Sequence, residues 1–308
     1  MTNAIIFPGQ GSQSIGMLAD LAQAFHVVEK TFAEASEVLG YDLWSLVQNG
    51  PEQDLNATDK TQPAMLTAGV AVWRVLKEKE AANASFLAGH SLGEYTALVC
   101  AEALSFADAI KLVEDRGLYM QSAVPAGKGA MAAVLGLEDD VVIKVCEEAA
   151  QGEVVEAVNF NSPGQVVVAG NVDAVNRAVD LAGKAGAKKA IVLPVSVPSH
   201  CTLMKPAADQ LKERLMGITV SIPKIPVIHN VDVTAHSDPE AIKNALVQQL
   251  FQPVRWVQSI EKMIADGATN FIECGPGKVL AGLNKRIARK VPAAAIVDVS
   301  SLEKALAE

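Results

Sequence analysis

Four cysteines stand in 308 residues, Cys100, Cys146, Cys201 and Cys274, and no two are close enough to form a C-x-x-C pair. That spacing excludes a disulfide framework and a thiolate zinc site. Aromatic residues are scarce, at 5%. Positive charge is in deficit: 26 Lys and Arg against 35 Asp and Glu leave a formal charge of -9. Nonspecific attraction to nucleic acid or to an anionic membrane is therefore disfavoured, and an anionic partner must find a local basic patch. Long apolar runs are missing too. Although mean hydropathy is +0.23, hydrophobic stretches are broken by Gly, Asp, Glu and Lys well short of the ~18 residues that suggest a spanning helix. The opening residues, Met1-Thr2-Asn3-Ala4-Ile5-Ile6-Phe7-Pro8, lack the charged n-region and apolar stretch of a secretory signal. The expected compartment is the cytoplasm, with neither membrane nor nucleic acid as partner.

What the chain does have is aliphatic content. Hydrophobic residues make up 50%, mostly Ala, Val, Leu and Ile, and charged residues 20%, the composition of a globular α/β enzyme. Residues 4–7 form an apolar run closed by Pro8-Gly9, and a helical pattern over 13–25 follows, which reads as strand, tight loop, helix. Thr61-Gln62-Pro63 opens a further helix, with Pro63 suited to a first turn. A buried-strand pattern over 85–88 stops at Gly89, a helix starts near Leu92, and another starts behind the cap Ser105. The pattern then changes. Residues 130–135, 154–160, 165–169 and 189–195 read as strands, and 138–150 and 173–185 as helices. The order βαββαβ is the ferredoxin-like arrangement, so residues 125–195 are expected to form a small inserted subdomain. The larger domain, residues 1–124 and 196–308, resumes with apolar strands over 226–229 and 270–274.

Gly89-His90-Ser91-Leu92-Gly93 matches G-x-S-x-G between an apolar strand and a helix, the context in which a strained turn presents a serine nucleophile. The alternative is a plain glycine-flanked turn with an inert serine. A serine hydroxyl needs a base, and five histidines are available. His26 reads as a helix residue, His90 as a packing residue beside the serine, and His236 as part of a polar turn. His200 follows Val197-Pro198-Ser199 at an element boundary and is preferred over His229, which lies in a strand. Gly9-Gln10-Gly11-Ser12-Gln13 lacks the Lys-Ser/Thr of a P-loop and the third glycine of a dinucleotide fingerprint. Such a loop offers either free backbone N–H groups, as in an oxyanion hole, or an ordinary tight turn. Arg116 lies in Glu114-Asp115-Arg116-Gly117, where local context alone makes it a solvated arginine.

Taken together, Gly9-Gln10-Gly11-Ser12-Gln13, Thr61-Gln62-Pro63-Ala64, Gly89-His90-Ser91-Leu92-Gly93-Glu94, Arg116, Asn159-Phe160-Asn161-Ser162, Val197-Pro198-Ser199-His200 and Glu273-Cys274-Gly275-Pro276-Gly277 closely resemble the bacterial malonyl-CoA:acyl carrier protein transacylases. The motifs occur in order over nearly the whole chain. The resemblance implies an α/β-hydrolase-like core with a parallel sheet, carrying the ferredoxin-like subdomain. It implies Ser91 as nucleophile and His200 as its base, oriented by the backbone carbonyl of Gln249 rather than by a carboxylate. It further implies an oxyanion hole from the N–H groups of Gln10 and Leu92, Arg116 as the grip on the malonyl carboxylate, malonyl-CoA and acyl carrier protein as partners, and no cofactor. The clearest departure is a minor one, Cys274, in a position more often aliphatic or small.

Two other readings remain at this level. A serine esterase or thioesterase shares the G-x-S-x-G, but its acid and histidine would come late in the chain, and Asp232 with His236 is too compressed for that. An inactive homologue that only binds carrier protein would not need Ser91, His200 and Arg116 together. An acidic carrier protein would have to dock on local basic surface. Lys184, Lys188 and Lys189 at the end of the subdomain, and Lys285, Arg286, Arg289 and Lys290 at helical spacing, are the candidates. Both clusters are expected to border the cleft that holds Ser91.

Overall fold

The apolar run after Asn3 is buried on both faces, as befits the middle strand of a parallel sheet. In this computed structural model, which describes residues 2–195 and 197–307, nine strands occur among the described residues: β1 (Asn3–Phe7), β2 (Phe86–Gly89), β3 (Gly129–Leu135), β4 (Val155–Ser162), β5 (Gln165–Asn171), β6 (Lys189–Val192), β7 (Val227–Ile228), β8 (Asn270–Cys274) and β9 (Ala293–Ile296). Five of them make a parallel sheet in the order β7-β2-β1-β8-β9. Alternate side chains point to opposite faces of a strand. Accordingly Ile5 and Phe7 pack with the helices around Thr58–Glu78, whereas Ala4 and Ile6 pack with Trp256, Ile260 and Leu280 on the other side.

The other four strands form an antiparallel sheet in the order β4-β5-β3-β6. With the helices Asp139–Ala150 and Val172–Lys184 between them in sequence, this is the ferredoxin-like βαββαβ pattern. One face carries Ala132, Val134, Val166 and Val168 against the two helices. The opposite face carries Met131, Val158 and Val167 against Cys201, beside His200. Strand β4 is also tied to the larger domain, because Phe160 donates its N–H to the Val254 carbonyl (3.0 Å) and Val254 donates to Val158 (2.8 Å).

Two local expectations are corrected, and one strand had not been expected. The helix expected over 13–25 is only Ala19–Ala24, since Gly16 and Leu18 take left-handed backbone angles (φ 79° and 62°) that end any earlier turn. Pro63 lies inside the helix Thr58–Glu78 rather than in its first turn. Strand β9, an alanine-rich segment, carried no pattern strong enough to be read. Among the described residues no helix is long and apolar enough to cross a membrane.

Candidate active site

Strand β2 runs into a sharp turn and then into the helix Gly93–Cys100. The turn is tight because Gly89 and Gly93 touch: a Cβ on Gly89 would lie 1.8 Å from the Gly93 carbonyl carbon, and one on Gly93 would lie 2.1 Å from the Phe7 carbonyl oxygen. Between them Ser91 sits at φ 51°, a conformation that costs a non-glycine residue about 1–3 kcal/mol and projects its hydroxyl from the helix N-terminus. His90 donates its N–H to Phe7 (3.0 Å), which brings the loop after β1 alongside. Within the described residues, the N–H groups of Gln10 and Leu92 donate to no protein group, as free oxyanion donors would.

His200 reaches the same point from the far side of the chain. The helix Pro239–Gln249 ends there, and the last carbonyls of a helix lack intrahelical donors. Two of them serve His200: Leu250 accepts its backbone N–H (3.0 Å) and Gln249 accepts its Nδ1–H (2.6 Å). Since a carbonyl can only accept, Nε2 carries the lone pair, and it receives the Ser91 Oγ–H at 2.8 Å. Burial, reinforced by the nearby Arg116 charge, pushes the His200 pKa down to about 3. The imidazole is therefore a free base at neutral pH. His229, the alternative base, is fully buried elsewhere and donates Nδ1–H to Glu94 Oε1 (2.7 Å). His90 donates Nε2–H to Asn161 (2.8 Å), His26 is exposed, and His236 pairs with Asp232.

Arg116 overturns its local reading. Its neighbours Glu114 and Asp115 pair with Lys111 and Arg214, while Arg116 itself is 1% exposed. Its guanidinium donates to Gln62 Oε1 (2.8 Å), to Gln249 Oε1 (3.0 Å) and to Ser91 Oγ (3.4 Å). Burial lowers its pKa, yet a guanidinium stays charged in proteins. The result is a fixed cation beside the nucleophile. Three contributors went unread in the sequence: Gln62, Asn230, which accepts the Ser91 N–H (2.8 Å), and Glu94, which accepts the Asn230 N–H (2.8 Å). Gln62 and Glu94 stood inside quoted motifs, which was the available signal.

The basic clusters are exposed, and one residue of each, Lys188 and Arg286, lies near the turn between β4 and β5. Arg286 donates to Gln165 there (2.7 Å), and Gly164 accepts from Gly136, against which Lys188 packs. Arg289 and Lys290 do not continue the helical face, because the helix Val279–Ile287 stops ahead of Pro292. A separate cavity of about 530 Å³, lined by Trp73, Arg74, Lys77, Cys100 and Glu102 among others, shares no residue with the Ser91 cluster.

A family model described as the acyl transferase domain matches residues 4–304. The chain is 56% identical to the malonyl CoA-acyl carrier protein transacylase of Escherichia coli, over 98% of each. It belongs to the malonyl-CoA:acyl carrier protein transacylase family. The transacylase of Bacillus subtilis is 45% identical over 98% of this chain and 96% of its own length. Among solved structures, an acyl carrier protein S-malonyltransferase from Vibrio cholerae is 60% identical with a TM-score of 0.97, covering 99% of this chain and 100% of that one. A malonyl-transacylase in complex with a type II PKS acyl-carrier protein is 57% identical with a TM-score of 0.99, covering 100% and 99%.

Proposed function

We propose that this chain transfers the malonyl group of malonyl-CoA to the pantetheine thiol of an acyl carrier protein through an ester on Ser91. The observation that carries this reading is the Arg116 guanidinium 3.4 Å from a serine hydroxyl that already donates to His200. A buried cation beside the nucleophile suits an acyl group that ends in a carboxylate, which a guanidinium binds through two parallel hydrogen bonds.

His200 Nε2 takes the Ser91 proton as Oγ attacks the thioester carbonyl, and the resulting oxyanion lies toward the N–H groups of Gln10 and Leu92. The helix C-terminus around Gln249 favours the imidazolium formed in this step. When the tetrahedral intermediate collapses, His200 returns the proton to the departing sulfur of coenzyme A. The carrier protein's thiol then gives its proton to His200, attacks the malonyl ester and leaves as the malonyl thioester, restoring Ser91. No step calls for a cofactor, and we assign the activity to fatty-acid synthesis in the cytoplasm. We assign the chemistry to residues 1–124 and 196–308, and the distinct apolar cluster of the second sheet supports treating 125–195 as a subdomain. Lys188, Lys189, Lys285 and Arg286 are assigned to carrier-protein docking.

Incubation with malonyl-CoA should add one malonyl group by intact mass, and Ser91→Ala should add none. Coenzyme A release should continue past one turnover only when carrier protein is present. Sustained release without it would instead mark a thioesterase.

A further inference from the structure

Glu94 is fully buried and takes no part in the steps above. A buried carboxylate must be satisfied by donors, and three reach it: His229 Nδ1–H on Oε1 (2.7 Å), with the Asn230 N–H (2.8 Å) and Gln249 Nε2–H (2.9 Å) on Oε2. These residues come from the segment behind β7 and from the end of the helix Pro239–Gln249. A network of this kind is seldom worth more to stability than apolar packing would be, so its geometry is the informative part.

Gln249 is used four ways at once. Its backbone carbonyl orients His200 (2.6 Å), and its Nε2 donates to both Glu94 (2.9 Å) and the Ser91 carbonyl (3.0 Å). Its Oε1 accepts from Arg116 (3.0 Å). The amide has two orientations related by a half-turn. In the other one, Oε1 would face a carboxylate and a carbonyl, while Nε2 would face the Arg116 guanidinium. Acceptors would meet acceptors and donors would meet a cation, with Glu94, Gln249 and Arg116 all buried. The Ser91 carbonyl alone opposes that flip weakly, since it also accepts the Glu94 N–H. Two charged groups oppose it from opposite sides, Glu94 at Nε2 and Arg116 at Oε1.

We propose that Glu94 is a positioning residue for substrate choice, locking the Gln249 side-chain amide so that its Oε1 holds Arg116 beside Ser91. In a hydrolase triad the carboxylate binds the histidine directly. Here the carboxylate lies one residue back and orients the cation that meets the substrate, while a main-chain carbonyl orients the base. Glu94→Gln has nearly the same shape but replaces the charged acceptor with a neutral amide, so the Gln249 NH₂ loses its charged anchor and the Gln249 Oε1 contact with Arg116 loosens. Arg116 then withdraws from the position next to Oγ, and a carboxylate-bearing acyl group suffers more than an uncharged one.

The inference rests on the malonyl-transfer reading, and the test separates the two. Initial rates of Ser91 acylation by malonyl-CoA and by acetyl-CoA are measured by quenched intact-mass spectrometry for wild type, Glu94→Gln, Arg116→Ala and the double variant. Thermal unfolding of each variant checks the fold. The malonyl-to-acetyl rate ratio should fall at least tenfold in Glu94→Gln, and adding Glu94→Gln to Arg116→Ala should lower that ratio by less than twofold, because both substitutions remove one interaction. An unchanged ratio, or a full tenfold loss repeated in the Arg116→Ala background, overturns the positioning role. If Glu94→Gln does not fold, Gln249→Met takes its place. It keeps the backbone carbonyl that serves His200 and must show the same loss of ratio and the same non-additivity with Arg116→Ala. A wild type that takes up no malonyl group would instead remove the functional reading itself.

Discussion

The Ser91 hydroxyl donates to an imidazole whose other nitrogen is already committed to a carbonyl. His200→Ala should therefore slow acylation by the ~10²–10⁴ typical of a lost general base, measured as malonyl uptake in a single turnover. Normal uptake in that variant would disprove the dyad. The low His200 pKa, near 3 against an ordinary 6.5, also sets a pH dependence. With the folded value depressed, the unfolded chain binds the extra proton between those two values, so this residue's share of stability is present above pH 6.5 and lost as pH falls toward 3. For the same reason kcat/KM for acylation should stay flat from neutral pH down to about 5. A carboxylate bound to Arg116 offsets the second cause of the depression, so the acid limb of kcat should lie at higher pH than that of kcat/KM. Inflexions in both profiles near 6.5 would mean an ordinary, solvated histidine. Arg116→Ala should reduce malonyl transfer far more than acetyl transfer, since a desolvated charge partner is worth roughly 1.5–3 kcal/mol to the carboxylate and nothing to a methyl group. Equal losses in the two assays would make Arg116 a packing residue.

Among the elements, the strand-turn-helix from β2 through the helix Gly93–Cys100 depends most on one atom's absence. A methyl group on Gly93 would meet the Phe7 carbonyl at 2.1 Å, and neither backbone has room to withdraw, because β1 is the middle strand of its sheet. Gly93→Ala should destabilise the protein by about 1–3 kcal/mol or more, read from urea unfolding, and should displace Ser91 enough to slow acylation as well. Wild-type stability would mean that the turn is looser than these contacts require. The helix Pro239–Gln249 acts through its end rather than its length. Its terminal carbonyls hold His200 by two hydrogen bonds, and His200 itself has φ 67°, so the base and the nucleophile are both held in left-handed conformations.

At the scale of the whole molecule, the net charge of -9 opposes the approach of an acidic carrier protein, and exposed basic residues must offset it. Lys188 and Arg286 come from different sheets' surroundings but converge on the turn between β4 and β5, and Asn161 near the end of β4 accepts from His90 next to Ser91. Charge reversal at Lys189 and Arg286 should raise the apparent KM for carrier protein at low salt, weaken its salt dependence, and leave acylation by malonyl-CoA unchanged. Carrier-protein kinetics unaltered at low salt, where steering is strongest, would eliminate this surface. The sequence by itself determined the apolar strand of residues 4–7, the G-x-S-x-G turn and the βαββαβ order, because strand periodicity, glycine sterics and helix periodicity are local properties of the chain. It left His200 only preferred over His229 until the motifs were taken together, and it made Arg116 look solvated. Those questions were decided in three dimensions. Ser91 and Gln249 are 158 positions apart and Glu94 and Asn230 are 136 apart, and the groups that orient His200 are backbone carbonyls, which have no residue-type signature. Only the packing of the helix Pro239–Gln249 against the Ser91 turn shows which carbonyl faces the imidazole, which amide faces the guanidinium, and which carboxylate is buried behind that amide.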